Sequence, residues 1–241
     1  MRADSTLYRC LPRCWLLVRL VQRAAGLHLA LDLSALRLLL YERRSIIMKL
    51  AVIIGATRPG RTTTRQSTWI AKTAAKLEGV EVEQIDLKDY PLPFFNEAIS
   101  PRYNQNRSPE PAVKKWLDKI GSFEAYIFVT PEYNHSIPAV LKNVFDYMTW
   151  ELKQKPAAVA SHGTVGGVRA AIQLKEILSE GQAAVIPKFS AVHGMSDIID
   201  EAGNLDATVA ANPYGPQGQL DAMLAELKWY SDALAVARSK D

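Results

Sequence analysis

KLAVIIGATRPGRTTTRQSTWIAKTAAKL, residues 49 to 77, is the stretch on which the fold turns. Lys49–Ile54 is continuously apolar and β-branched, which is how a strand buried on both faces reads. Ser67–Leu77 has apolar residues at helical spacing. Between them lies a short loop of glycines, threonines and arginines. A buried strand leading through such a loop into an amphipathic helix is the first half of a parallel β-crossover unit.

The pattern repeats downstream. Val80–Ile85 alternates as a second strand, Ala125–Thr130 (AYIFVT) is a third, Ala157–Ala160 a fourth and Ala183–Pro187 a fifth. Helical patterns cover Pro111–Ile120, Ile137–Trp150, Gly167–Ser179 and Gln219–Ala237. No internal repeat is present. Five strands alternating with about five helices suit an α/β, flavodoxin-like, doubly wound five-stranded parallel sheet of order 2-1-3-4-5. Residues 86 to 110 form a long connection rich in Pro, Asn and aromatics, and loops of that length are usually lids or contact surfaces.

Upstream, residues 1 to 47 differ in kind. They hold thirteen Leu, eight Arg and no Lys, with three acids, and carry a formal +5, while residues 48 to 241 carry −1 within a chain total of +4. The basic excess therefore belongs to the extension, and the domain at 48–241 has no electrostatic case for nucleic acid. Arg13, Arg19, Arg23, Asp32 and Arg37 interrupt every apolar run short of the roughly 18–20 residues of a membrane span. The extension reads either as an organelle transit peptide or as an upstream stretch outside the functional protein; the location is cytoplasmic unless it acts as a transit signal. Cys10 and Cys14 are too few and too close for a disulfide framework, and with only His28 nearby they make no zinc site.

Three segments follow the carboxyl ends of expected strands and do not look like ordinary connectors: Gly55–Arg65, Pro131–Ser136 and Ser161–Gly167. In a parallel sheet those ends share one edge, where ligands bind at the reversal of strand order. The first segment sets hydroxyls and Arg58, Arg61 and Arg65 just before a helix, whose free N–H groups favour an anion, with phosphate the natural occupant. Gly55 to Thr62 also spells G-x-x-x-x-G-R-T. The nucleoside-triphosphatase loop needs Lys where Arg61 stands and a metal-binding Asp at the end of a neighbouring strand, whereas the third strand ends Thr130-Pro131 and the fourth near Ser161, both without Asp. The other two segments let backbone approach a planar face and bond its polar edge, which suits a flavin ring. His135 and His162 read as packing or surface residues, or as ligand contacts. The four histidines show no metal-ligand spacing.

G-A-T-R-P-G-R at 55–61, P-E-Y-N at 131–134 and S-x-G…G-G at 161–167 together resemble the NADPH-dependent FMN reductase family, flavodoxin-like reductases of quinones, azo dyes and flavins. The likeness runs from Met48 to about Pro187. It departs where Ala56 replaces the usual Ser, where Thr62-Thr63-Thr64 adds hydroxyls, and where the third loop is about one residue short. The resemblance implies FMN as cofactor and NADPH or NADH as co-substrate. Hydride passes through the flavin to a quinone, free flavin or similar acceptor by a ping-pong course, with the flavin N5 rather than a side chain carrying the chemistry. It implies that Thr57, Arg58, Thr62, Thr63 and Thr64 hold the phosphate. Pro131, Glu132, Tyr133 and Asn134 would line one side of the ring, and Ser161, Gly163 and Gly166 the other. Arg61 or Arg65 would reach a 2′-phosphate of NADPH. It also implies a homo-oligomer, dimer or tetramer, with the loop at 90–103 and the helix bearing Phe145, Tyr147, Met148 and Trp150 as candidate contacts, against ordinary core packing. The alternative is a flavodoxin-type one-electron carrier or a non-catalytic FMN-binding protein. Such carriers are usually strongly acidic, whereas this domain is near neutral and arginine-bearing at the loop.

Overall fold

The computed structural model describes residues 47–104 and 106–240; the expectations for residues 1 to 46, Cys10, Cys14 and His28 among them, lie outside these. Within the described residues, β1 (Met48–Ile54), β2 (Val80–Asp86), β3 (Ala125–Pro131), β4 (Pro156–His162) and β5 (Ala184–Val185) form a parallel sheet in the order β2-β1-β3-β4-β5. The flavodoxin-like arrangement read from the sequence is the one observed. Helices α1 (Thr63–Ala74), α2 (Pro111–Gly121), α3 (Ala139–Asp146), α4 (Val168–Glu180) and α7 (Pro216–Arg238) cover its two faces, and α5 (Met195–Ile198) and α6 (Ala207–Ala210) are single turns.

The continuous apolar runs explain the layering. Along β3 all seven residues are buried, with Tyr126 and Phe128 in one core and Ala125, Ile127 and Val129 in the other. The first core takes Trp116 and Ile120 of α2, Leu141 and Val144 of α3, and Leu174 and Leu178 of α4. The second takes Trp69 and Ile70 of α1 and Leu220, Met223, Leu224 and Leu227 of α7. Each such side chain contributes about 1.5–3 kcal/mol on leaving water, so two complete cores fix the sheet from both sides. Among the described residues no helix is long and apolar enough to cross a membrane.

Three boundaries differ from the sequence reading. Helix α1 begins at Thr63, not Ser67, because the chain turns at Gly60 (φ +67°) and the threonines enter the first helical turn, where their amides need no intrahelical partner. Helix α3 spans Ala139–Asp146 rather than 137–150. Pro138, in extended geometry, starts it, and Tyr147 and Met148 leave it to fill the core. The expected fifth strand, Ala183–Pro187, shortens to Ala184–Val185, and a sixth, not expected from sequence, follows. Ala184–Val185 pairs with Pro156–Ala157, Pro187 lacks the N–H to continue, and β6 (Ser190–Val192) resumes beside Ala160–His162.

Candidate functional site

The sheet register brings the ends of β1, β3, β4 and β6 to one edge: Ile54 lies opposite Val129, Pro131 opposite His162, and His162 opposite Val192. The first loop leaves that edge at Gly55, whose amide donates to the Val129 carbonyl at 2.8 Å. A Cβ there would stand 2.5 Å from that same carbonyl oxygen, so only glycine lets the loop start this close to β3. Beyond it, no group among the described residues accepts a hydrogen bond from the amides of Ala56, Thr57, Arg58, Gly60, Arg61, Thr62, Thr63 or Thr64. Ala56 and Thr63 have no exposed surface; the amides of Thr57, Arg58, Gly60, Arg61, Thr62 and Thr64, on residues that keep some, surround a left-handed glycine at the start of a twelve-residue helix, an arrangement suited to cradling an anion.

The three loop arginines separate in role. Arg58 is exposed; its Nε donates to the Tyr133 hydroxyl at 2.9 Å and its guanidinium stands 5.9 Å from the Tyr133 ring centre. Arg61 is turned inward, with a side chain 9% exposed that donates to the Ala56 carbonyl and pairs with the Asp86 carboxylate at the end of β2. Arg65 reaches the Ile199 carbonyl and Glu201. The threonines separate too. Thr57 and Thr62 are half-buried, Thr64 bonds the Arg61 carbonyl at 3.4 Å, and Thr63 has no exposed surface, its hydroxyl lying 2.9 Å from His162 Nε2.

In the second loop, Tyr133 and Ser136 exchange backbone hydrogen bonds of 2.9 Å around Asn134 and His135, both at positive φ (48° and 66°). This tight turn projects both side chains into solvent. Pro131 is buried at the strand end. Glu132 faces α4, where it pairs with the Arg169 guanidinium at 2.7 Å and accepts from the Arg169 amide at 3.1 Å. Burial acts to raise its carboxyl pKa, but hydrogen bonds from the Arg169 side chain and from the amides of Arg169 and Ala170 outweigh it and hold the group below the usual carboxylate range.

The third loop is held by Ser161, whose hydroxyl donates to the Gly166 carbonyl at 2.8 Å, and by Gly163, whose amide reaches Val192 of β6 at 3.3 Å. Gly166 and Gly167 are both left-handed, and a Cβ on Gly167 would meet the His162 carbonyl oxygen at 2.6 Å. Among the described residues, the amides of Thr164, Val165, Gly167 and Val168 have no acceptor. The three loops thus meet, through Arg58 with Tyr133, Thr63 with His162, and Gln66 Nε2 with the Ser161 carbonyl at 3.1 Å.

Gln66, Arg169 and the end of β6 belong to this assembly and were not assigned to it from sequence, and His162, within the third segment, reads from sequence as a packing, surface or ligand-contact residue. Only a histidine beside a glycine loop was visible there. His162 is 6% exposed; burial first, and the nearby Arg58 charge second, push its imidazole down to about 4. Among the described residues no group of three or more His, Cys, Asp or Glu side chains is placed to hold a metal ion.

The arrangement fits FMN on its own chemistry. Free amides and Arg58 match a phosphate dianion, and two glycine-backed loops with free amides match a planar ring with a polar edge. The sequence model described as NADPH-dependent FMN reductase matches residues 48–197. An NAD(P)H-dependent FMN reductase of Schizosaccharomyces pombe is 32% identical over 147 residues, covering 61% of this chain and 74% of that protein. An NAD(P)H:quinone oxidoreductase of Solanum tuberosum is 31% identical over 139 residues, 54% of this chain and 67% of that one. Among solved structures, the flavoenzyme NAD(P)H:(acceptor) oxidoreductase FerB of Paracoccus denitrificans superposes with a TM-score of 0.61 at 25% identity, over 76% of this chain and 99% of that one.

Proposed function

The chain belongs to the NADPH-dependent FMN reductase family, and from that premise we propose how its three loops serve an FMN-dependent NAD(P)H oxidoreductase. The cradle of free amides at 57–64, with Arg58 beside it, is the observation that carries the reading. It holds the FMN phosphate, with Thr57, Thr62 and Thr64 as the half-buried threonines, Thr63 being fully buried. Tyr133 and Asn134 border the ring on one side, and the backbone of Gly163 to Gly167 on the other. Ser161 and Glu132 shape these walls from behind, Ser161 by bonding Gly166 and Glu132 by pairing with Arg169. Arg61 and Arg65 act the same way toward the first loop and α1, since their guanidinium groups are engaged with Asp86 and with Ile199 and Glu201.

The chemistry that FMN would supply when bound is hydride transfer, by which NAD(P)H, a proton and a quinone would become NAD(P)⁺ and hydroquinone. The protein contributes position and charge. Arg58 and the loop amides offset the phosphate dianion, and the glycine loops keep side chains off the ring. If the two loops leave a single ring face accessible, as the family resemblance implies, donor and acceptor would use it in turn. Full-chain protein is expected to carry FMN absorbance bleached by NADPH without air, and to give parallel double-reciprocal lines at several quinone concentrations. Intersecting lines would refute the shared face. Negligible NADPH oxidation unless a partner reductase is added would return the protein to the electron carriers. A homo-oligomer is supported by the exposed Phe94, Ile99, Tyr103 and Trp150, whereas Tyr147 and Met148 are core residues; sedimentation equilibrium tests it.

A further inference from the structure

One residue touches all three loops, and it does so from beneath. His162 is the last residue of β4. Its carbonyl accepts the Glu132 amide at 3.0 Å, which fixes where the second loop leaves β3. Gly167 folds against its backbone so closely that no other residue fits, which fixes the third loop. Its ring reaches across to the first: Nε2 lies 2.9 Å from Thr63 Oγ1, at the first residue of α1, where the anion cradle ends. Thr63 is fully buried, so its hydroxyl supports the loop and does not touch a ligand.

We propose that His162 is a positioning residue that, through Thr63, sets the separation between the anion-binding loop and the two ring-binding loops. The inference rests on the reading of the site as an FMN site. A strut of this kind matters only for a ligand that spans both parts. FMN must place ring and phosphate at once, whereas riboflavin lacks the phosphate and makes no demand on the cradle. An imidazole that merely filled space would weaken both ligands alike when changed.

Burial and the adjacent Arg58 keep the ring uncharged at ordinary pH. One of its nitrogens then carries the proton, and Nε2 either donates to Thr63 or accepts from it. The glutamine amide reaches about as far as Nε2, so His162→Gln can restore the bond. His162→Phe fills the volume without it, and Thr63→Val and Thr63→Ser form the same pair from the other side.

The test uses full-chain protein and measures FMN and riboflavin dissociation constants by quenching of flavin fluorescence. Thr63→Val and His162→Phe are each expected to weaken FMN by about tenfold, the scale of one lost buried hydrogen bond, while riboflavin changes less than about twofold on the same reasoning. His162→Gln and Thr63→Ser should recover most of the FMN affinity. The double variant Thr63→Val with His162→Phe should be no worse than the poorer single, since both remove one bond. Equal losses for the two flavins, unchanged FMN affinity in folded Thr63→Val, or additive losses in the double variant would each overturn the proposal. If His162→Phe fails to fold, the Thr63 pair decides alone, because Thr63→Val exchanges only the hydroxyl for a methyl and Thr63→Ser removes only the methyl. Wild-type protein that binds neither flavin would overturn the site reading and the strut together. Wild type that binds FMN while the variants keep the ratio would overturn the strut alone.

Discussion

Acidifying flavin-free protein from pH 7 to pH 5 is expected to remove about 2 kcal/mol of stability through His162 alone. The imidazole titrates near 6.5 in an unfolded chain and at about 4 in the folded one, because burial first, and Arg58 second, oppose its charge. Between those values the unfolded chain binds the extra proton. Stability is then complete above about pH 6.5 and falls as pH drops toward 4. The whole interval corresponds to about 3 kcal/mol at 1.36 kcal/mol per unit, of which about 2 kcal/mol lies between pH 7 and 5. For a domain of this size that is a fall in Tm of roughly 4–8 °C. Glu132, Asp200 and Asp206, all held below their usual range, lose their stabilising contribution only at more acid pH, as it falls through the carboxylate range, so the pH 5–7 window isolates the histidine. The assay is thermal or urea unfolding of wild type and His162→Gln at half-unit steps of pH. The difference between the two should slope upward with pH across that window. A flat difference, or one that favours the wild type as pH falls, would refute the claim that the ring is buried uncharged.

Other outcomes follow from the same geometry. Arg58→Ala should weaken FMN roughly tenfold or more, the scale of a hydrogen bond to a charged group, and riboflavin far less; flavin titrations showing equal losses would remove Arg58 from the phosphate. Gly167→Ala should cost about 2 kcal/mol or more, since a Cβ meets the His162 carbonyl in a left-handed backbone. Gly60→Ala, at φ +67° with open space around it, should cost only about 1 kcal/mol; equal shifts in Tm would show that the Gly167 contact is not real. A chain starting at Met48 should bind FMN as tightly as the full chain, because β1 starts there and all three loops lie beyond it; loss of flavin binding on that truncation would show that residues 1 to 47 contribute.

Much of this was legible because the decisive signals are local. A strand buried on both faces, such as 125–130, must be apolar throughout, and a loop that meets a ligand must carry residues no ordinary turn needs, as 55–65 and 131–136 do. What was not legible depends on partners distant in the chain. Arg61 and Arg65 look like phosphate ligands until Asp86 and Ile199 are seen to hold them. Thr63 looks like its neighbours until the helix turns it inward onto a residue 99 positions away. Ser190–Val192 has too little pattern to read as a strand, and becomes one because the upper half of β4 has an edge to fill.

That last lane of the sheet, laid in two pieces, serves the core at one end and the third loop at the other. Val185 and Ile186 are tied to Ala157 at the foot of β4, while β6 stands beside the ring loop and donates nothing to that lower core register. The bridge between them is Pro187, Lys188 and Phe189, with Pro187 and Lys188 exposed. The bridge is tied as well, since the Lys188 amide donates to Glu226 and Lys175 donates to the Ile186 and Pro187 carbonyls, and a residue gained or lost there would turn the buried Val192 out of the second core. The strand end beside Gly163 is therefore set by the core beneath it, and this edge of the sheet tolerates changes of side chain at the exposed Pro187 and Lys188 more readily than changes of length.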